Sequence, residues 1–167
     1  MLSAKRITLI VWLAAIILLL SACKGEAMWF QAEEVCVFSA MEGTLTYNGE
    51  PAVGAKVVRI VRWKDEKGES DSVVTDEMGH FSLPVMNRTL RQLFPAEFVA
   101  HQSIFVYYQG NEFQIWGMGK SDISEGSELG GKAEIICELT DEPIPVNSNA
   151  GLLVTSCVWS GINREIE

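Results

Sequence analysis

Residues 43–55 read GTLTYNGEPAVGA, and this stretch decides the fold. Its first five residues alternate between small or polar and apolar types, which is the two-residue period of a half-buried strand. Asn48 and Gly49 then supply the two positive-φ positions that a tight type I′ hairpin turn requires. The sequence therefore predicts a hairpin here, followed by a second strand over residues 55–63.

Residues 75–81, TDEMGHF, predict a second tight turn of related design. The side chain of Asp76 is expected to form an Asx-type turn, and Gly79 provides the permissive backbone position. The strand after this turn leads back to the hydrophobic core. We expect four apolar residues of the two hairpins to be buried: Leu45, Val57, Ile60 and Phe81.

This order of turns and strands resembles the carboxypeptidase regulatory-like (transthyretin-like or prealbumin-like) domains. The resemblance covers about 40 of the 167 residues. It implies an all-β fold, a prealbumin-like or Ig-like antiparallel β-sandwich of about seven to eight strands. Such domains are usually non-catalytic attachments, and a fold does not by itself define an activity. The residues that carry the resemblance are Gly43, Leu45, Gly49, Pro51, Val53, Gly54, Ala55 and Val57, then Thr75, Asp76, Gly79 and Phe81.

The N-terminus has the pattern of an export signal. Lys5 and Arg6 precede a run over residues 7–20 that is apolar apart from Thr8 and shorter than the roughly 20 residues of a membrane span. The sequence LSAC, residues 20–23, resembles the bacterial lipobox, in which cleavage exposes a cysteine that carries lipid. The alternative is an ordinary secretory signal with an incidental cysteine at position 23.

These features predict three segments. Residues 1–22 form a lipoprotein signal peptide, residues 23–34 a tether, and residues 35–167 the β-sandwich domain. Cys23 is the expected lipidation site. Lys24 follows it, and by resemblance to known sorting rules this implies the bacterial outer membrane, with the domain facing the periplasm.

The charge of the mature chain limits its partners. Lys5 and Arg6 lie in the segment removed, so eleven of the 13 basic residues remain beside all 22 acidic ones, and the formal net charge becomes −11. Such a surface repels phosphate backbones and anionic headgroups, which argues against nucleic-acid binding. A protein partner, including a basic one, is compatible with this charge, and the lipid is the expected contact with the membrane.

Three cysteines remain after lipidation, and export allows one disulfide among them. Alternation over residues 134–139 turns Cys137 inward, and residues 152–159 are expected to form the neighbouring antiparallel strand. We therefore expect a Cys137–Cys157 bridge first. A bridge from Cys36 to either of these cysteines is the alternative.

Two irregular segments are expected between the strands. Residues 64–72, KDEKGESDS, predict a charged, solvated hairpin end with Gly68 at its tip. Asn87 has the character of an N-cap, and Leu90, Leu93 and Phe94 would share one face of a helix that Pro95 ends. The sequence thus predicts one short inserted helix of about two turns.

A candidate binding surface follows from the alternation in residues 112–116, EFQIW. Glu112 and Gln114 should face outward, Phe113 and Ile115 inward, and Trp116 outward again, either as an exposed aromatic contact residue or covered by residues 121–132. The charged loop adds acidic candidates to this surface. These are Asp65, Glu66 and Glu69.

No motif for chemistry stands out. The sequence has no nucleophile elbow, zinc-protease helix, phosphate-binding loop or dinucleotide fingerprint, and its two histidines lie apart from the cysteines. We expect a protein that is not an enzyme, with no catalytic residues, cofactor or metal. Three functions compete: a module that binds another protein, such as immunity against a secreted antibacterial effector; a structural or assembly lipoprotein of an envelope or secretion complex; and a module that binds carbohydrate or peptidoglycan through tryptophans.

Overall fold

The computed structural model describes residues 32–63, 67–90, 98–131, 134–148 and 150–160. These residues form thirteen β-strands and no helix. None of the described residues form a helix long and apolar enough to cross a bilayer. The strands are β1 (Glu33–Phe38), β2 (Met41–Tyr47), β3 (Glu50–Pro51), β4 (Lys56–Arg62), β5 (Glu69–Val74), β6 (His80–Leu83), β7 (Met86–Leu90), β8 (Ala100–Tyr108), β9 (Asn111–Lys120), β10 (Glu134–Glu138), β11 (Ile144–Ser148), β12 (Gly151–Thr155) and β13 (Cys157–Val158).

Two main sheets enclose one core. The six-stranded sheet has the order β11-β12-β9-β8-β4-β5, and the five-stranded sheet has the order β13-β10-β2-β3 with β6 paired to β2. Strands β1 and β7 form a separate antiparallel ribbon. Neighbouring strands are antiparallel except for β10 and β2, which run parallel. Inward residues of both sheets form a single buried cluster, so the predicted all-β sandwich is confirmed.

The strands are shorter and more numerous than the seven to eight expected, because long runs are interrupted. Strand β1 passes into β2 across residues 39–40, and β6 passes into β7 across residues 84–85. Each interruption moves the chain from one sheet to another. Each of these two runs therefore contributes one strand to the ribbon and one strand to the five-stranded sheet.

The first predicted hairpin forms as expected. Asn48 and Gly49 have φ values of 54° and 81°, and Tyr47 pairs with Glu50 on either side of them. In the second turn, the carboxylate of Asp76 accepts hydrogen bonds from the backbone N–H groups of Met78 and His80, both at 2.9 Å. The Asx-type turn is thus present as predicted.

Strand β4 buries a charged residue where an apolar one was expected. Val57 is buried as predicted, whereas Ile60 is only half-buried because it lies on the outer face. Alternation from Val57 places Arg59 on the inner face, with 1% of its surface exposed. Leu45 and Phe81 are buried as expected.

The predicted helix is not seen. Asn87 and Leu90 belong to strand β7, where Asn87 pairs with Cys36 of β1. The ladder with β1 satisfies the backbone of these residues, so the local capping signal is overridden by tertiary pairing. Leu93, Phe94 and Pro95 lie outside the described residues.

Gly79 meets two constraints at once. Its φ is +75°, and a Cβ atom added there would lie 2.4 Å from the carbonyl oxygen of Leu45. Gly110 has a similar φ of +80°, but an added Cβ would meet nothing within 4 Å. The two glycines therefore separate the cost of backbone strain from the cost of a steric clash.

We predict that Gly110→Ala costs about 1–2 kcal/mol of unfolding free energy, because it strains only the backbone. Gly79→Ala should cost a further 1–3 kcal/mol, approximately, because the clash with Leu45 requires backbone movement. Urea unfolding of the two variants measures the difference. Equal destabilisation by both substitutions would contradict the close approach of Gly79 to Leu45.

Candidate functional site

Trp116 is buried, not exposed, and the prediction that it faces solvent is wrong. Strands β8 and β9 pair Ile104 with Trp116 but Phe105 with Gln114, so Ile115 is an extra residue in a β-bulge. The bulge reverses the alternation of β9, and both Ile115 and Trp116 point into the core. Alternation alone could not reveal the extra residue.

Glu112 and Gln114, which precede the bulge, are exposed as predicted. After the bulge, the alternate residues Trp116, Met118 and Lys120 are buried, and glycines occupy the intervening positions 117 and 119. A tryptophan, a methionine and a lysine that alternate with glycines were the available signal for this inward face.

The indole of Trp116 takes part in a buried polar network. Its Nε1 donates to Oε1 of Gln102 at 3.1 Å, and Nε2 of Gln102 donates to the carbonyl oxygen of Val37 at 2.9 Å. The same Nε2 also donates to Oε1 of Glu128 at 2.9 Å. Sequence reasoning missed this network, because its members are far apart along the chain.

Glu128 is the centre of the network, with a side chain that is fully buried. Its carboxylate accepts hydrogen bonds from the backbone N–H and hydroxyl of Ser39 at 3.0 and 2.5 Å, in addition to that from Gln102. Lys120 completes the shell, with its Nζ 2.9 Å from Oε2 of Glu128. Burial alone would raise the pKa of Glu128, but the hydrogen bonds from Ser39, Gln102 and Lys120 outweigh it and lower the pKa.

Lys120 is equally enclosed and equally satisfied. Its ammonium group donates to the carbonyl oxygen of Ser124 at 2.8 Å and to the hydroxyl of Ser127, besides Glu128. Three donors thus meet three acceptors, which is the full capacity of a lysine side chain. The pair ties the segment over residues 121–131 to the core.

The polar groups around Glu128 and Lys120 bond to one another inside the fold, which indicates a structural role. The thiol of Cys36 lies 3.7 Å from the hydroxyl of Ser39, and burial raises the pKa of Cys36. A protonated, buried thiol is a poor nucleophile. Among the described residues, no group of three or more His, Cys, Asp or Glu side chains has an arrangement suited to a metal ion.

The expected disulfide is present. Cys137 and Cys157 pair directly across strands β10 and β13, with Cα atoms 4.1 Å apart. Residues 152–159 were expected to form one strand beside β10, but only their C-terminal part, β13, pairs with it. The preceding strand, β12, pairs with β9 and β11. Cys36 is free and buried beside Ser39, so the alternative bridges do not form.

The acidic candidates have different fates. Glu69 does not lie in a loop, because residues 69–72 belong to strand β5, where pairing with β4 overrides their polar character. Its Oε1 accepts a hydrogen bond of 2.7 Å from Nε of Arg88, so its charge is partly neutralised. Asp65 and Glu66 lie outside the described residues.

Arg59 is the second buried cation that is paired inside the fold. Its guanidinium donates from Nε and Nη2 to the two carboxylate oxygens of Asp71, at 2.9 and 2.5 Å. Nη1 donates to the carbonyl oxygen of Pro84 at 2.6 Å, and the group lies 4.8 Å from the ring centroid of Phe38. The arginine thus links β4 and β5 to the β6–β7 connection and to β1.

Glu138 holds the first hairpin turn in place. Its carboxylate accepts hydrogen bonds from the N–H groups of Asn48, Gly49 and Thr140 at 3.0, 2.9 and 3.1 Å. The hydroxyl of Thr140 also donates to it, at 2.7 Å. Burial raises the pKa of Glu138, but the hydrogen bonds from Thr140, Gly49 and Thr46 together outweigh it and lower the pKa to about 2.

The two main sheets, with the buried polar network between them, define a β-sandwich. The family comparison agrees with a domain spanning most of this fold. The chain belongs to the family described as a domain of unknown function (DUF6795), whose model matches residues 41–142. No curated protein and no solved structure matches the chain.

We predict that the Lys120–Glu128 pair is strongly coupled. Either Lys120→Met or Glu128→Gln should cost about 3–5 kcal/mol, because each leaves a buried group without its partner. The double variant should cost less than the sum of the single variants, because neither buried charge remains. Urea unfolding of all four proteins gives the coupling energy.

The exposed Arg88–Glu69 pair provides the matched control. Arg88→Met and Glu69→Gln should show a coupling of no more than about 1 kcal/mol, because solvent screens exposed charges. A coupling at Lys120–Glu128 no larger than that at the surface pair would refute the structural role of the buried pair.

We also predict acid sensitivity from Glu138. Its pKa is lowered from 4.5 to about 2 on folding, so its contribution to stability is fully present above pH 4.5 and is lost as the pH falls towards 2. The difference in unfolding free energy between the wild type and Glu138→Gln should therefore shrink over this interval. Glu142→Gln, at an exposed position, should show no comparable change. A constant difference for Glu138→Gln across the same range would contradict the prediction.

Proposed function

We propose that this protein is a lipid-anchored, periplasm-facing protein of the bacterial outer membrane that works by binding another protein and not by catalysis. The lipobox-like residues 20–23 support the anchor, with Cys23 as the lipidated residue. The β-sandwich over residues 35–167 is the binding module. Its resemblance to carboxypeptidase regulatory-like domains supports a role as a non-catalytic module.

A single observation carries the proposal of a protein partner: several cations of the chain are already paired with its own carboxylates. The described residues include sixteen acidic and six basic side chains. Arg59, Lys120 and Arg88 are engaged by Asp71, Glu128 and Glu69 respectively. Among the described residues, thirteen carboxylates and three cations remain outside these ion pairs. These cations are Lys56, Arg62 and Lys67.

Such a surface selects its partners by charge. A strongly anionic surface disfavours nucleic acid and attracts basic proteins over long distances, which raises the rate of association. Exposed charges are screened beyond about 8 Å at physiological ionic strength, so this attraction depends on salt. The charge thus favours a basic protein partner.

Immunity against a secreted antibacterial effector is the particular role we propose. Small, acidic, anchored binding proteins suit the neutralisation of a toxin, and this part of the proposal rests on analogy. A structural role in an envelope assembly is the second candidate. The tryptophan-based carbohydrate role receives less support, because Trp116 is buried and packs against Trp159 with ring centroids 6.1 Å apart, while Trp63 packs against Phe98.

Cys23→Ala tests the anchor. The wild-type chain should incorporate palmitate in growing cells and fractionate with the outer membrane. The variant should incorporate none and accumulate as unprocessed precursor or as a soluble species. Absence of label from the wild-type chain would overturn the proposed anchoring.

Deletion of the gene tests the role. If the protein confers immunity, deletion cells should be killed by contact with wild-type sister cells, and the full-length chain should restore their survival. The association of the purified full-length chain with the responsible effector should slow as salt rises. Survival of deletion cells together with loss of an envelope complex would favour the assembly role instead. Survival with no change in any envelope complex would contradict both roles.

A further inference from the structure

Three connections at one end of the sandwich form a single surface, which we call the turn tip. It consists of residues 48–54, 75–79 and 138–142. Strand β2 runs towards this end, with Glu42 opposite Ser82 and Thr44 opposite His80 of β6. The ribbon of β1 and β7 continues the same strands in the other direction, to Glu33 opposite Leu90. The turn tip therefore lies at the far end of this ribbon from the first described strand residue.

Hydrogen bonds fasten the first two connections to each other. The N–H of Gly54 donates to the carbonyl oxygen of Thr75 at 3.2 Å, and the N–H of Ala55 donates to Oγ1 of Thr75 at 2.8 Å. That hydroxyl in turn donates to the carbonyl oxygen of Ala52 at 2.5 Å. Glu138 fastens the third connection to the first through Asn48 and Gly49. The tip is thus held in one conformation before any partner arrives, which lowers the entropic cost of binding.

Two large apolar side chains project from these fastened turns. Met78 is 70% exposed and Val53 is 48% exposed. The turns that carry them touch, because a Cβ atom built on Gly79 would lie 3.2 Å from the backbone nitrogen of Ala52. An exposed methionine is a flexible apolar contact of the type used at binding surfaces. Packing within the described part of the chain leaves the Met78 side chain largely exposed.

The turn tip is also rich in carboxylates. Its three connections contain six acidic residues and no basic one. The carboxylates of Asp76 and Glu138 accept hydrogen bonds from backbone N–H groups. The other four residues are exposed, and their carboxylates make no hydrogen bond or ion pair among the described residues. These four are Glu50, Glu77, Asp141 and Glu142.

We infer that the turn tip is the docking surface for a basic protein, which receives Met78 in an apolar pocket bordered by lysine or arginine side chains. Charge complementarity selects this occupant, because the connections of the turn tip carry four unpaired carboxylates and no basic residue beside the exposed Met78 and Val53. The inference rests on the proposed function, since it names the surface that a protein partner contacts. It differs from the expectation that Glu112, Gln114 and Trp116, together with the charged loop, form the contact surface.

Site-specific photo-crosslinking tests the inference in the intact protein. A benzophenone amino acid replaces Met78 in the full-length chain, produced in the bacterium that encodes it. A second chain carries the same group at Leu152, which is 62% exposed on the outer face of the six-stranded sheet. Irradiation should give a protein adduct at position 78, and mass spectrometry should place its contact point in a basic surface.

Neutralisation of the four free carboxylates tests the role of charge. The variant Glu50→Gln, Glu77→Gln, Asp141→Asn, Glu142→Gln should bind the cross-linked partner at least about tenfold more weakly. The matched variant Glu33→Gln, Glu34→Gln, Glu42→Gln, Glu125→Gln removes equal charge elsewhere and should change the affinity less than about threefold. Thermal unfolding checks that both variants remain folded.

The possible results separate this inference from the proposed function. An adduct only at position 152, an adduct at 78 with lipid or with an acidic surface, or equal weakening by both charge variants would overturn the turn tip as the docking surface. A partner captured by formaldehyde without any adduct at 78 would do the same, while leaving the binding function intact. If neither photo-crosslinking nor formaldehyde captures a protein, the proposed binding function fails as well.

Discussion

The fully buried carboxylate of Glu128 is the group on which the interior of the sandwich depends. It collects hydrogen bonds from Ser39, Gln102 and Lys120, which lie at the end of β1, in β8 and at the end of β9. A buried charge is tolerated only when its hydrogen-bonding capacity is met, because desolvation otherwise costs several kcal/mol, roughly. This requirement positions all the contributing segments at once. The bulge at Ile115 belongs to the same arrangement, since it directs Trp116 and Lys120 inward.

Arg59 of β4 meets a similar requirement in the same sheet. It is a buried cation on an inner sheet face, and Asp71, Pro84 and the ring of Phe38 surround it. Each such pair removes one cation and one carboxylate, so the excess of acid is unchanged. Among the described residues, thirteen carboxylates and three cations remain outside the ion pairs.

The stability of the turns and the accessibility of their side chains also depend on one another. Glu138 and Asp76 use their carboxylates to hold backbone N–H groups, which fixes the turns without covering them. Apolar residues on these turns, such as Met78, remain exposed because the backbone is satisfied locally. A surface of this kind can bind a partner without first becoming ordered.

The sequence by itself determined the features that depend on local geometry. A tight type I′ turn requires two positive-φ residues, and Asn and Gly adopt positive φ most readily, so the turn at Asn48 and Gly49 was predictable, as was the Asx-type turn at Asp76. Short-range alternation likewise placed Glu112 and Gln114 outside and Cys137 inside, close enough to Cys157 for a disulfide. Only the tertiary structure decided the rest. Three features depend on contacts between segments that are distant in sequence: the bulge that buries Trp116, the strand that replaces the helix at Asn87, and the Lys120–Glu128 pair. The energies of these contacts exceed local preferences, and the contacts leave no periodic pattern in the sequence.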